Sequence, residues 1–507
     1  MANSVNLGNA GPQPSGLPGP ANVLTIGTVS VGFANATITG MPPDQVLNLV
    51  LPNPSAQTML VEIIEGQSRD LTWGPAVTLA SMSYLWSCSG GPSPQVFNPG
   101  TSGNGSAIPD WHYSQFPATI LPGQNRATIT NPTIDGEINF FGEWYQMQKL
   151  GAPYAAMFGF NTAWSGQPFV DLAIGNPYWC SGSQALACAI RAFKGQYTLE
   201  FEQLLSWGEA GEYGIPYSGG GPFTWASGTR AQYSVLYTKW RNDRLAELTP
   251  LMDQTVTLTT LIQSNIDSAG MIALDQTPTP GSTLSVQALF DHQMGMIDVY
   301  TNTPGILLLP PDYLVNQTKA YLIDELHPNG GGIRLRHEAF GAFRAYRKAG
   351  GNSTPLLLTG VVHSGFNVDF TWNQPIAIDT VVLQESTQTN QLHGLSFEIA
   401  NVRQAINVGA SGIISPNTFR LVLSSNPGSV TWAARICGWV WDQTTQFPIS
   451  SPVCNICKAN PDGSKLSFGT SSIINVPYLA GLTASAYTIP ATPFYWYAQA
   501  MYMTGTS

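Results

Sequence analysis

The chain has 507 residues and a net charge of −10, and only 10 % of it is Asp, Glu, Lys or Arg, against roughly 25 % in an average soluble domain. Its 43 % hydrophobic content, with 14 Trp, 19 Tyr and 21 Phe, exceeds anything a disordered chain carries. Arg69 is the only Lys or Arg before Arg126 and none follows Lys465, which excludes a cationic arm for phosphate binding at either end of this sequence.

Residues 1–22 are rich in Gly, Pro and Asn and are expected to form a flexible lead. They lack the cationic and apolar regions of a secretory signal. No apolar run reaches the roughly 18 residues of a membrane span, so no membrane contact is expected. Val29, Val31 and Phe33 alternate with polar or small residues, as in a half-buried strand, and a second apolar run of strand length ends at Ile64. Residues 89–109 are dominated by Ser, Gly, Pro and Asn and read as a surface loop, the expected host-facing element.

Asp135, Glu137 and Glu143 form the densest carboxylate group beside aromatics. Paired carboxylates flanked by stacking rings are what glycoside hydrolysis requires. The alternative is a set of turn and capping residues, with Glu143 at a helix start. Helices are predicted over 183–193, over 237–248 ahead of Pro250, and over 335–349 between glycine runs. Residues 141–151 (FGEWYQMQKLG) echo residues 340–350 (FGAFRAYRKAG) at an offset of 199, and an apolar, strand-like run follows each. Residues 277–282 (TPTPGS) are the best linker between two halves.

Further on, Phe366, Val368, Phe370 and Trp372 alternate with polar residues. So do Leu395, Phe397 and Ile399, then Phe419, Leu421 and Leu423, then Val430, Trp432, Ala434 and Ile436. Four such strands joined by Gly, Pro, Asn and Ser turns predict antiparallel sheet.

Sequence handles on chemistry are few. GxSxG, the Walker loop, HExxH and GxGxxG are all missing. Cys454 and Cys457 form a lone CxxC without a second ligand pair, so neither a metal site nor a cofactor is expected. Arg334, Arg336, Arg344, Arg347 and Lys348 concentrate a quarter of all basic residues into fifteen positions. At helical spacing Arg344, Arg347 and Lys348 form one stripe, suited to a structural or intersubunit ion pair or to packaged nucleic acid.

The stretch AFGAFRAYRKAGG, followed by PLLLTGVV, resembles picorna-like virus capsid proteins, in which an aromatic- and Arg-containing helix end precedes a jelly-roll strand. The resemblance implies an all-β fold of jelly-roll type, with one antiparallel β-sandwich domain over 23–275 and another over 284–507. It implies a structural, non-enzymatic subunit with no catalytic residue. Many copies, with other capsid subunits possible, would close an icosahedral shell in the host cytoplasm and be found in the virion, where a host receptor would meet them. A carbohydrate-binding or glycoside-hydrolysing β protein is the alternative, and a phage fibre or appendage the third reading.

Overall fold

The computed structural model describes residues 23–32, 35–39, 44–52, 57–66, 85–89, 137–161, parts of 183–206, 229–252, 256–263, 286–311, 330–379, 391–400, 402–436, 438–442, 447–471 and 491–507. A small three-stranded sheet comes first, from β1 (Val23–Gly32), β2 (Asn35–Thr39) and β3 (Asp44–Pro52), with β3 between the other two.

The body that follows is not the expected β-sandwich. Six strands, β4 (Thr58–Gly66), β5 (Leu85–Ser89), β6 (Ala156–Asn161), β7 (Thr198–Ser206), β8 (Leu258–Ile262) and β9 (Ile306–Leu308), form one sheet in the order β5-β6-β4-β7-β8-β9. Every neighbouring pair in it is parallel. Helices α1 (Glu137–Lys149), α2 (Arg230–Met252), α3 (Val286–Asn302) and α4 (Gly330–Lys348) alternate with the strands. The all-β, tandem jelly-roll expectation is therefore corrected over this region to an α/β fold. The physical reason lies in β4: Met59, Leu60, Val61, Ile63 and Ile64 are all buried, so apolar residues of both parities are covered. A strand hidden on both faces is the mark of a parallel sheet sheathed by helices.

Side-chain parity assigns the helices to faces. Glu62 of β4 meets Arg344 of α4, and α4 packs on α1; Glu65, three residues on and so on the opposite face, meets Arg244 of α2, which packs on α3. The two copies of the sequence echo lie in α1 and α4 and touch at equivalent glycines. A Cβ on Gly341 would lie 2.3 Å from the Glu143 carbonyl oxygen, and one on Gly142 would lie 3.5 Å from the Glu338 side chain. Small residues at this crossing let two backbones approach, which gives the shared glycine of the echo a packing role.

The predicted helix over 183–193 is present where described, at Ser183, Leu186, Ala187, Ala189, Ile190 and Phe193. The helix predicted over 237–248 is longer, running through Pro250 to Met252, and the third incorporates the glycines expected to precede it. The 89–109 loop beyond Ser89 and the 277–282 linker lie outside the described residues.

From Leu358 onward the antiparallel expectation matches the structure. One four-stranded sheet orders Leu358–Ser364, Asn367–Trp372, Thr418–Val422 and Gly412–Ser415. A second orders Val402–Arg403, Leu395–Ile399, Thr431–Ile436 and Met501–Thr506. Val368, Phe370, Trp372, Phe419 and Leu421 are buried while their neighbours along the strands are not, and the His363 ring lies 5.0 Å from Phe397 of the other sheet. The sandwich packs on the α/β body through Phe343 of α4 against Trp496 at 5.4 Å and Phe290 of α3 against Tyr502 at 5.6 Å.

Candidate functional site

The two ends of the parallel sheet are connected very differently. At the amino ends the links are short: 150–155 leads into β6, 253–257 into β8 and 303–305 into β9. After the strands the chain runs long before the next described element: 67–84 follows β4, 90–136 follows β5, 207–229 follows β7, 263–285 follows β8 and 309–329 follows β9, and nearly all of these residues lie outside the described ones. Open parallel sheets carry ligands and chemistry outside the carboxyl edge of their strands.

Beneath that edge the described residues form two buried polar networks, one on each face. Toward α2, Glu65 accepts from Arg244 and from Gln203 Nε2 at 2.5 Å, and Thr260 Oγ1 donates to Gln203 Oε1 at 3.1 Å. Arg244 Nη1 also donates to Ser183 Oγ at 3.1 Å and to Glu247 at 2.7 Å. Toward α4, Arg336 Nε donates to Gln263 Oε1 at 2.8 Å and its Nη2 reaches Ser206 Oγ, the last side chain of β7. Buried polar groups cost roughly 1–3 kcal/mol each if left unmade, so these bonds lock the strand ends in register. A rigid strand edge suits a site that must hold reacting atoms in place.

Deeper along the sheet lies a cluster of ions. The Arg344 guanidinium bonds Glu62 of β4, Glu143 of α1 and Glu202 of β7, and all four side chains are fully buried. His337 Nδ1 donates to the other oxygen of Glu143, while Arg347 Nη2 reaches Glu202 at 3.2 Å from a side chain 19 % exposed. Lys348 lies further out and pairs with Glu200 at 2.6 Å. The stripe of Arg344, Arg347 and Lys348 thus turns inward on the sheet, and Arg344 has no solvent face. Burial raises the Glu62 and Glu143 carboxyls above the usual range, Glu62 the more, against the pull of Arg344.

Of the carboxylates expected to sit across a sugar, the side chain of Glu143 alone is described. Glu143 is enclosed between His337 and Arg344, Glu137 begins α1, and Asp135 lies outside the described residues. Cys454 and Cys457 are buried free thiols; burial pushes Cys454 up to about 12 and Cys457 further. Among the described residues no group of His, Cys, Asp and Glu could hold a metal ion, and no helix is long and apolar enough to cross a membrane.

No family model matches the chain, and no curated protein does. Among solved structures it is similar to a carbohydrate acetylesterase from Xanthomonas citri, at 10 % identity and a TM-score of 0.45, over 90 % of this chain and 82 % of that one. It is also similar to a protein of Arabidopsis thaliana, at 9 % identity and a TM-score of 0.31, over 58 % of this chain and 98 % of that one. A third likeness is to the N-terminal part of the bacterial S-layer protein SbsC, at 11 % identity and a TM-score of 0.14, over 62 % and 76 %. The expectation of a non-enzymatic chain rested on the resemblance to jelly-roll capsid proteins and is corrected with it, because the sheet is parallel and helix-covered rather than a jelly roll.

The signal that sequence reasoning missed was order along the chain. Ser68 stands two residues after Gly66, which closes the central strand β4, and Asp324 and His327 stand just before Gly330, which opens α4. All three lie outside the described residues.

Proposed function

We propose that the chain is an ester hydrolase working at the carboxyl end of the parallel sheet, with Ser68 as nucleophile, His327 as general base and Asp324 orienting the imidazole. The observation that supports it is a serine closely following the central parallel strand, together with Arg336, early in α4, reaching Ser206 and Gln263 at the carboxyl ends of β7 and β8, which brings the start of α4 to that same end. In an α/β unit the helix after a strand starts at the strand's carboxyl end, so the approaches to β4's exit and α4's entry belong to one rim.

Ser68 Oγ adds to the ester carbonyl as His327 takes its proton; the imidazolium then protonates the departing alcohol, leaving an acyl-serine. Water, deprotonated by the same histidine, releases the acid and restores the serine. The chain order Ser, Asp, His is one of several in which this constellation is built. Acetylated sugars belong in the assay because one similar structure is of a carbohydrate acetylesterase.

The test is hydrolysis of p-nitrophenyl acetate and of acetylated sugars by the purified full chain. Ser68→Ala and His327→Ala should each lower kcat by about 10³-fold or more with the circular dichroism unchanged. Full activity in Ser68→Ala, or no turnover by the unaltered protein, would contradict the assignment.

A self-assembling shell subunit is the second reading. It is favoured by the exposed apolar residues Val362, Phe366, Val408, Ile413 and Ile414 of the sandwich on a charge-poor chain. Closed particles under negative-stain microscopy support it, and a uniform monomer across salt and pH removes it.

A further inference from the structure

The ion cluster between the sheet and α1/α4 holds more carboxylates than its cations can serve. Three glutamates, Glu62, Glu143 and Glu202, converge on Arg344, and Arg347 supplies a second guanidinium at Glu202. Bond by bond, Glu143 receives a donor on each oxygen, His337 Nδ1 on Oε1 and Arg344 Nη1 on Oε2. Both Glu202 oxygens are likewise taken, by Arg344 Nε and Arg347 Nη2. Glu62 receives Arg344 Nη2 on Oε1, but no donor reaches its Oε2, which is shut off from solvent. The Glu62 and Glu143 carboxyls, both bonded to the one Arg344 guanidinium, interact with each other. Two acceptors do not meet in a dry interior unless a proton stands between them.

We propose that Glu62 is a carboxylic acid at neutral pH, its proton shared with Glu143, and that this proton is an alkaline-sensitive latch holding α1 and α4 on the sheet. One proton leaves two carboxylates facing two guanidiniums, a balanced set. The charged groups acting on Glu62 are Glu143 from α1, Arg344 from α4 and Glu202 from β7; His337 and Arg347 of α4 join the cluster through Glu143 and Glu202, and the β6 neighbour of Glu62 is Gly159. Glu338 is occupied elsewhere, by Arg334 at 2.9 Å and Gln146 at 2.7 Å.

The sign follows from linkage. A glutamate whose folded pKa is raised keeps its proton in the native state while the unfolded chain gives it up near pH 4.3. Its contribution is whole below that value and declines as pH rises toward the folded pKa, by about tenfold in the unfolding constant per pH unit.

The experiment compares urea unfolding of the full chain with Glu62→Gln from pH 5 to pH 9, and records the protonated-carboxyl infrared band of both at pH 7. The amide keeps a donor for Glu143 and has no proton to lose. We expect Glu62→Gln to fold, to gain on the parent by about tenfold per pH unit over the lower part of that range, and to lack one carboxylic-acid band that the parent shows. Parallel pH dependence of the two proteins overturns the proposal. So does an unchanged infrared band, or a Glu62→Gln that fails to fold while the parent shows no carboxylic-acid band at pH 7.

Discussion

Arg344 concentrates the electrostatics of this molecule in one side chain. Removing one member of a buried, hydrogen-bonded ion set strands the others, so Arg344→Met should cost about 3–5 kcal/mol in urea unfolding. Arg347→Met, at the cluster's partly exposed margin, should cost about 1 kcal/mol or less. Equal losses would contradict the hierarchy. Lys458 poses the opposite problem: its ammonium is buried, lies 3.8 Å from the centre of the Trp496 ring and donates to the Asn352 carbonyl at 3.2 Å. Desolvation brings it down to about 7. Between that value and the roughly 10.4 of an unfolded lysine the unfolded chain holds more protons, so this residue makes stability rise with pH. Lys458→Met should therefore stabilise the protein at pH 6 and lose that advantage by pH 10; a constant difference across the range would show that Lys458 keeps its charge. None of this was legible in the sequence, where Arg344, Arg347 and Lys348 form a plain cationic stripe. The glutamates that bury Arg344 come from three elements, 142 to 282 residues away.

Elements were legible where one face of a strand meets water. The alternation survives as alternating burial at 367–372 and 418–423, whereas at 395–398 and 432–436 residues of both parities are buried and Phe366 is exposed. Parallel strands covered on both sides carry no such alternation, and Thr198–Ser206 and Leu258–Ile262 passed unnoticed for that reason. The helix Val286–Asn302 was missed beside the proline-rich segment before it. The echo between 141–151 and 340–350 carried real information about packing, since it falls where α1 and α4 touch. Gly341→Ala should accordingly destabilise by about 1–3 kcal/mol in thermal or urea unfolding, because its methyl would meet the Glu143 backbone rather than a movable side chain. A neutral Gly341→Ala would mean that the two helices can separate freely at this crossing.

At the scale of the molecule, a sparse charge and abundant aromatics describe the interior of this protein as much as its surface. Trp240, Trp372 and Trp496 are among its largest fully buried side chains. Composition therefore pointed toward neighbouring subunits for rings that in this chain pack on one another. What composition could not reveal is that the first two-thirds of the chain set helices around six parallel strands, with the carboxyl end of that sheet fixed by buried polar bonds. The account stands on that end being the place of chemistry. It is tested most directly by treating the full chain with a fluorophosphonate and locating the adduct by peptide mass spectrometry. A single adduct on Ser68, absent after His327→Ala, is the predicted result; an unmodified Ser68, or labelling confined to other serines, would contradict it.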